Sequence, residues 1–124
     1  MTRHITLYGI PNCDTVKKSR SWLQEHGTEF VFHDFKKQGL DQLTIKTWLQ
    51  HLSLDVLINK KGTTWRALSD EQKASATNTE QAMALMLANP SIIKRPVLQI
   101  TENNALKHVS VGFSAAQFES ILSQ

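Results

Sequence analysis

The hydrophobic period of this chain switches twice within its first 35 residues, and that switch restricts the fold more than any other feature. Residues Arg3 to Tyr8 alternate polar and apolar at their end, as a strand does, and Gly9-Ile10-Pro11-Asn12 then supplies turn chemistry. From Cys13 the pattern passes to Val16, Ser19, Trp22, Leu23 and His26, near the helical period, and Gly27 stands where a helix stops. Asn12 occupies the position of an N-cap, although a neighbouring Ser, Thr or Asp would look the same. Glu29 to Phe35 returns to an aromatic and β-branched pattern with Phe30, Phe32 and Asp34 in alternation. Strand, helix and strand make a βαβ unit, whose strands run parallel with a right-handed crossover.

Further along, Asp41 to Leu52 carries Leu43, Ile45, Trp48, Leu49 and Leu52 behind an aspartate suited to capping, which predicts a helix. A second helix is expected from about Trp65-Arg66, and a third over Thr79 to Ala88, ended by Asn89-Pro90. Pro96 to Thr101 and Leu106 to Val111 read as strands around Glu102-Asn103-Asn104, a hairpin loop of turn formers. A last helix follows Ser114, with Ala115, Phe118, Ile121 and Leu122 on its apolar face. This order predicts an α/β fold of thioredoxin-like arrangement: a mixed four-stranded sheet with flanking helices, and a helical insertion between the βαβ and ββα parts. At 124 residues the chain has room for one domain, 1–124, with the thioredoxin-like core at about 1–38 and 90–124 and the insertion at about 40–89. Trp22, Trp48, Met83 and Met86 lie at helical spacing and read as core.

Composition excludes several classes. The net charge of +3 is spread over small groups, Lys17-Lys18-Arg20, Lys36-Lys37, Lys60-Lys61 and Lys94-Arg95, none long enough to serve as a nucleic-acid tail. Such groups are solvated surface or attract small anions. No apolar run approaches the roughly 18 residues of a membrane helix, and the first residues lack a signal-peptide pattern, so a cytoplasmic location is expected. His4, His26, His33, His51 and His108 are too dispersed for metal-ligand spacing. Neither a metal nor a prosthetic group is expected.

The chain has a single cysteine, so no internal disulfide forms. Cys13 stands at or just before a first helical turn, where the N–H groups of Asp14 and Thr15 lack intrahelical partners and favour an anion. Thiolate is the nucleophilic form, and helix N-termini with a nearby cation such as Lys17 favour it. The alternative is a small buried hydrophobe, as many lone cysteines are. The polar corner Asn12-Cys13-Asp14-Thr15 is unlike an apolar core position. Without a C-x-x-C partner, a mixed disulfide on Cys13 is resolved by a thiol from outside the chain. Glutathione is the abundant cytoplasmic candidate, and its two carboxylates suit the cations available.

Three stretches resemble the ArsC/Spx family of small thioredoxin-fold proteins, closest to its YffB type. They are Leu7-Tyr8-Gly9-Ile10-Pro11-Asn12-Cys13-Asp14-Thr15-Val16-Lys17-Lys18-Ser19, Asn59-Lys60-Lys61-Gly62-Thr63-Thr64-Trp65-Arg66 and Ile93-Lys94-Arg95-Pro96. The resemblance implies that Cys13 is the reactive cysteine and that Arg95 precedes a cis proline, Pro96. Arg95 then presents a planar set of donors to a carboxylate or oxyanion. Lys60, Lys61 and Arg66 edge a ligand groove on this reading, and Trp65 either joins them or packs as a core aromatic. Arsenate reductases of the family hold the oxyanion with three arginines, of which this sequence keeps one. Asn59 stands near the first position and Val111-Gly112-Phe113 at the third. Spx regulators bind RNA polymerase and often carry a C-x-x-C switch, which is absent here. The expectation is therefore a glutathione-dependent thiol/disulfide reductase with Cys13 as nucleophile. Asn12, Asp14, Thr15, Lys60, Lys61, Arg66, Arg95 and Pro96 are its binding residues, and glutaredoxin is a candidate partner. The alternatives are a glutathione- or glutaredoxin-coupled arsenate reductase and an Spx-like regulator that binds RNA polymerase. No direct nucleic-acid or membrane contact is expected.

Overall fold

The computed structural model describes residues 3–123. In chain order the elements are β1 (Arg3–Gly9), α1 (Asp14–Glu25), β2 (Val31–Asp34), α2 (Phe35–Gln38), α3 (Gln42–Leu49), α4 (Leu54–Leu57) and α5 (Thr63–Arg66). There follow α6 (Asp70–Ser75), α7 (Thr79–Ala88), a single 3-10 turn (Pro90–Ile92), β3 (Val97–Glu102), β4 (Ala105–Val111) and α8 (Ala115–Leu122). Two compact units result: 1–34 with 95–124, and 35–94.

The first unit holds one sheet in the order β2-β1-β3-β4. β1 pairs parallel with β2 and antiparallel with β3, and β3 pairs antiparallel with β4. This is the mixed four-stranded, thioredoxin-like sheet expected. Because side chains alternate along a strand, Ile5 and Leu7 share a face with their register partners Ile100 and Leu98. That face packs with Leu23 of α1 and Phe118 of α8. Trp22 stands edge-on to Phe118 at 5.6 Å, and Phe113 at 4.8 Å.

Local chemistry sets the ends of these elements. At the end of α1, Gly27 takes a φ of +64°, the Thr28 N–H donates to the Leu23 carbonyl at 2.9 Å, and the Gly27 N–H to the Gln24 carbonyl at 3.1 Å. That double closure is a Schellman motif. At the start of α8, the Ser114 hydroxyl accepts from the Gln117 N–H at 3.0 Å.

Four expectations for this unit are corrected. The N-cap of α1 is Cys13 rather than Asn12, since helical dihedrals begin only at Asp14. The second strand runs only from Val31 to Asp34, the four residues that find partners on β1, and Phe35 already opens α2. The hairpin loop shrinks to Asn103 and Asn104, whose φ values of 53° and 66° suit a tight two-residue turn. Trp22 is only partly buried, at the rim of the core, with its ring stacked on His26 at 3.8 Å.

The second unit is a string of short helices, most of them opened by a side-chain cap. Asp41 accepts from the Thr44 N–H at 2.8 Å, Ser53 from Val56 at 3.3 Å, and Asn78 from Gln81 at 3.1 Å. Ser69 forms a full capping box with Gln72. The helix expected from Trp65 starts at Thr63 behind Gly62, and the capping box makes α6 a separate helix. Phe35, Ile45, Trp48, Leu57 and Met86 are buried here, with the Phe35 and Trp48 rings 6.4 Å apart.

Candidate functional site

The sheet register decides which residues of the first unit come together. Tyr8 is opposite Val97, and Gly9 opposite Asp34. The C-terminal ends of β1 and β2 and the start of β3 therefore lie at one end of the sheet. Cys13 follows β1 after three loop residues, Ile10 to Asn12, and Arg95-Pro96 immediately precedes β3. One sheet end thus carries Asn12, Cys13, Asp14 and Thr15 on one side and Arg95 and Pro96 on the other.

Cys13 has extended dihedrals, φ −142° and ψ 124°, and its carbonyl accepts the Lys17 N–H at 2.9 Å. Its half-buried thiol makes no capping bond to the first turn. The side chain in the N-cap position is therefore not tied to the helix it precedes. The first-turn N–H groups have no intrahelical partner and point toward this end. Asn12, Asp14 and Lys17 are exposed. Thr15 is half-buried, and its carbonyl accepts from the buried Ser19 hydroxyl at 2.7 Å. Gly9 lets α1 approach the strand: a Cβ there would sit 2.8 Å from Cγ2 of Val16.

The Arg95–Pro96 peptide bond is cis. Pro96 is buried, has no N–H, and its carbonyl accepts from the Gly112 N–H at 2.9 Å. The main-chain groups beside it that bond nothing among the described residues are those of Arg95, which is half-buried and has no ion-pair partner there. At this position Arg95 is the residue that keeps a free N–H among the described residues, while the Pro96 carbonyl already carries one bond.

Lys60, Lys61 and Arg66 belong to the second unit, and the sheet register does not reach them. Lys60 pairs with Asp55 at 3.0 Å and lies 5.9 Å from the Trp65 ring centre. The Lys61 N–H donates to Asn59 Oδ1 at 3.2 Å. Arg66 is exposed, and its carbonyl accepts from Lys73 at 3.2 Å. Trp65 is buried, the core alternative of its two readings. Among the described residues no group of three or more His, Cys, Asp or Glu is placed to hold a metal ion. No helix among them is long and apolar enough to cross a membrane.

The ArsC family model matches residues 8–121, from the end of β1 into α8. The chain belongs to the ArsC family. The solved structure of the YffB (PA3664) protein is 40% identical, with a TM-score of 0.83 over 94% of this chain and 96% of that one. An uncharacterised protein of Haemophilus influenzae is 39% identical over 116 residues, 94% of this chain and 96% of its own length. The global transcriptional regulator Spx of Streptococcus agalactiae is 25% identical over 121 residues, 95% of this chain and 82% of the regulator. In this ArsC-family chain two further residues stand at the Cys13 end of the sheet, one inside the first motif stretch and one that no motif announces. Tyr8 and His33 are register partners on β1 and β2, with ring centres 4.7 Å apart. Only the pairing of the two strands makes them neighbours, and a single strand's alternation carries no sign of it.

Proposed function

We propose that the chain is a glutathione-dependent thiol/disulfide reductase with Cys13 as its single nucleophile. The observation that carries this reading is a half-buried thiol at the N-cap of α1 that caps nothing. The Cys13 thiolate attacks the glutathione sulfur of a mixed disulfide, forms a Cys13–glutathione disulfide, and releases the substrate as a thiolate that takes up a proton. A second glutathione thiolate then attacks the glutathione sulfur of that disulfide. Oxidised glutathione leaves and the Cys13 thiolate returns. The substrate disulfide gains two electrons, and two glutathione units end as one disulfide.

The chain's own groups support each stage. The Asp14 and Thr15 N–H groups and the positive end of α1 stabilise the sulfur anion. The Arg95 guanidinium binds a glutathione carboxylate as a two-pronged donor, and its main chain pairs with the peptide. Asn12 borders the same loop, and Pro96 orients Arg95. Glutaredoxin fits as an outside resolving partner.

Intact mass spectrometry after incubation with oxidised glutathione tests the proposal. One adduct on the wild type, none on Cys13→Ser, slower formation in Arg95→Ala, and removal by reduced glutathione are expected. A wild type that forms no adduct, or one that reduced glutathione does not remove, overturns the reading. Arsenate-dependent consumption of glutathione in the same preparation would replace it with oxyanion reduction. The similarity to Spx favours a second reading, binding to RNA polymerase. In that case polymerase capture persists in Cys13→Ser under reducing conditions.

A further inference from the structure

A pocket of about 430 Å³ in the second unit is lined by Asp55, Val56, Ile58, Asn59, Lys60, Lys61 and Lys94. It is built on the antiparallel bridge between Ile58 and Ile93. Two backbone bonds fix that bridge: the Lys94 N–H donates to the Leu57 carbonyl and the Asn59 N–H to the Ile92 carbonyl, each at 2.8 Å. The loop bearing Lys60 and Lys61 is likewise set by its own chemistry. Asn59 Oδ1 accepts the Lys61 N–H, the Asn59 carbonyl accepts the Gly62 N–H at 3.2 Å, and a Cβ at Gly62 would come within 3.0 Å of Asn59 Nδ2.

Three lysines and one aspartate leave this lining with excess positive charge. Asp55 pairs with Lys60 alone, from a side chain that is 85% exposed. Lys61 and Lys94 have no ion-pair partner among the described residues. Like charges held on a rigid frame repel one another, and a bound anion turns that repulsion into attraction. The donor type narrows the anion. Lysine is a point charge without the planar fork that matches a carboxylate, and no arginine lines the pocket. Several ammonium charges lining one pocket suit a compact, doubly charged tetrahedral oxyanion better than a flat monoanion.

We propose that this pocket binds a dianionic phosphoryl group, either free phosphate or a phosphoryl carried on a larger molecule. Binding there needs neither Cys13 nor its chemistry.

The test is an NMR titration of the full chain with inorganic phosphate at constant ionic strength, with affinities from calorimetry. Saturable binding at one site is expected, with amide shifts concentrated at Asn59 to Lys61 and at Lys94. Removing two charges in Lys61→Gln with Lys94→Gln weakens it about tenfold. Asp55→Asn, which frees Lys60, tightens it about threefold. The control Lys17→Gln with Lys18→Gln removes the same charge elsewhere and leaves the affinity within about twofold. A phosphoserine peptide that binds more tightly than phosphate identifies the carried phosphoryl as the source, and one that binds no better identifies free phosphate. Absence of saturation, shifts spread over lysines throughout the chain, or equal weakening by the control overturns the proposal. Binding of single-stranded nucleic acid without binding of phosphate also overturns it.

Discussion

Replacing Cys13 by serine should make the protein more stable while ending its thiol chemistry. The backbone at Cys13, φ −142° and ψ 124°, is close to that at Ser114, φ −146° and ψ 152°, where the hydroxyl accepts from the N–H three residues on at 3.0 Å. A hydroxyl at position 13 is therefore placed to accept from the Val16 N–H, a bond that the thiol does not make. Gaining an N-cap contributes about 0.5–2 kcal/mol, less a few tenths for the apolar contact that a half-buried sulfur gives up. The net expectation is about 0.5–1 kcal/mol, or roughly 2–5 °C in Tm for a chain of this size. Urea unfolding under reducing conditions, read by circular dichroism, measures the difference. Cys13→Ala is the control, since it removes the sulfur and adds no acceptor. A serine variant no more stable than the alanine variant would refute the geometric reasoning. A serine variant less stable than the wild type would instead mark Cys13 as a packing residue.

Three further outcomes follow from the same geometry. Gly9→Ala places a methyl group 2.8 Å from Val16 Cγ2, and the overpacking of about 1–3 kcal/mol exceeds the 0.4–1 kcal/mol gained by stiffening the unfolded chain. Urea unfolding should show a net loss that Val16→Ala partly relieves in the double variant. Asn104→Gly should stabilise the hairpin by up to about 1 kcal/mol, and Asn104→Val weaken it by a similar amount, because the φ of 66° suits glycine and opposes a β-branched residue; thermal unfolding of the two variants checks the sign. Phe118→Ala empties a fully buried site beneath Leu7 and Leu98 and should remove about 3–5 kcal/mol, read from the urea midpoint at unchanged m-value.

The sheet was legible because its signals are local and strong. Alternation at the end of Arg3 to Tyr8 and apolar, β-branched stretches in the two late strands, punctuated by Gly-Ile-Pro-Asn and Asn-Asn turns, left few ways to order four strands. The second unit was less so. A four-residue helix such as α4 or α5 completes barely one turn, so no hydrophobic period has room to show. The starts of α4 and α6 lay in caps instead, with Ser53 and Ser69 standing three residues before the N–H groups they accept from, while α5 opens on Gly62 with no side-chain cap. Of the candidate residues, Cys13 stood out as the only cysteine in a polar corner, and Arg95 through its place before Pro96. The engagement of the Pro96 carbonyl with Gly112 depends on a β3–β4 pairing invisible to any motif.

The misplaced N-cap is informative in itself. Side-chain preference favours asparagine at that position and disfavours cysteine, and the other described helices of eight residues or more, α3, α7 and α8, open with Asp41, Asn78 and Ser114 as preference dictates. Helix α1, at twelve residues the longest of these, opens on a thiol that satisfies none of its N–H groups. Sequences that fold cleanly obey local rules nearly everywhere, and departures concentrate where something other than stability is selected. Here the departure leaves the unsatisfied donors of the longest helix and a free sulfur side by side. On the proposed reading, capping that helix and holding a sulfur anion are competing uses of the same N–H groups.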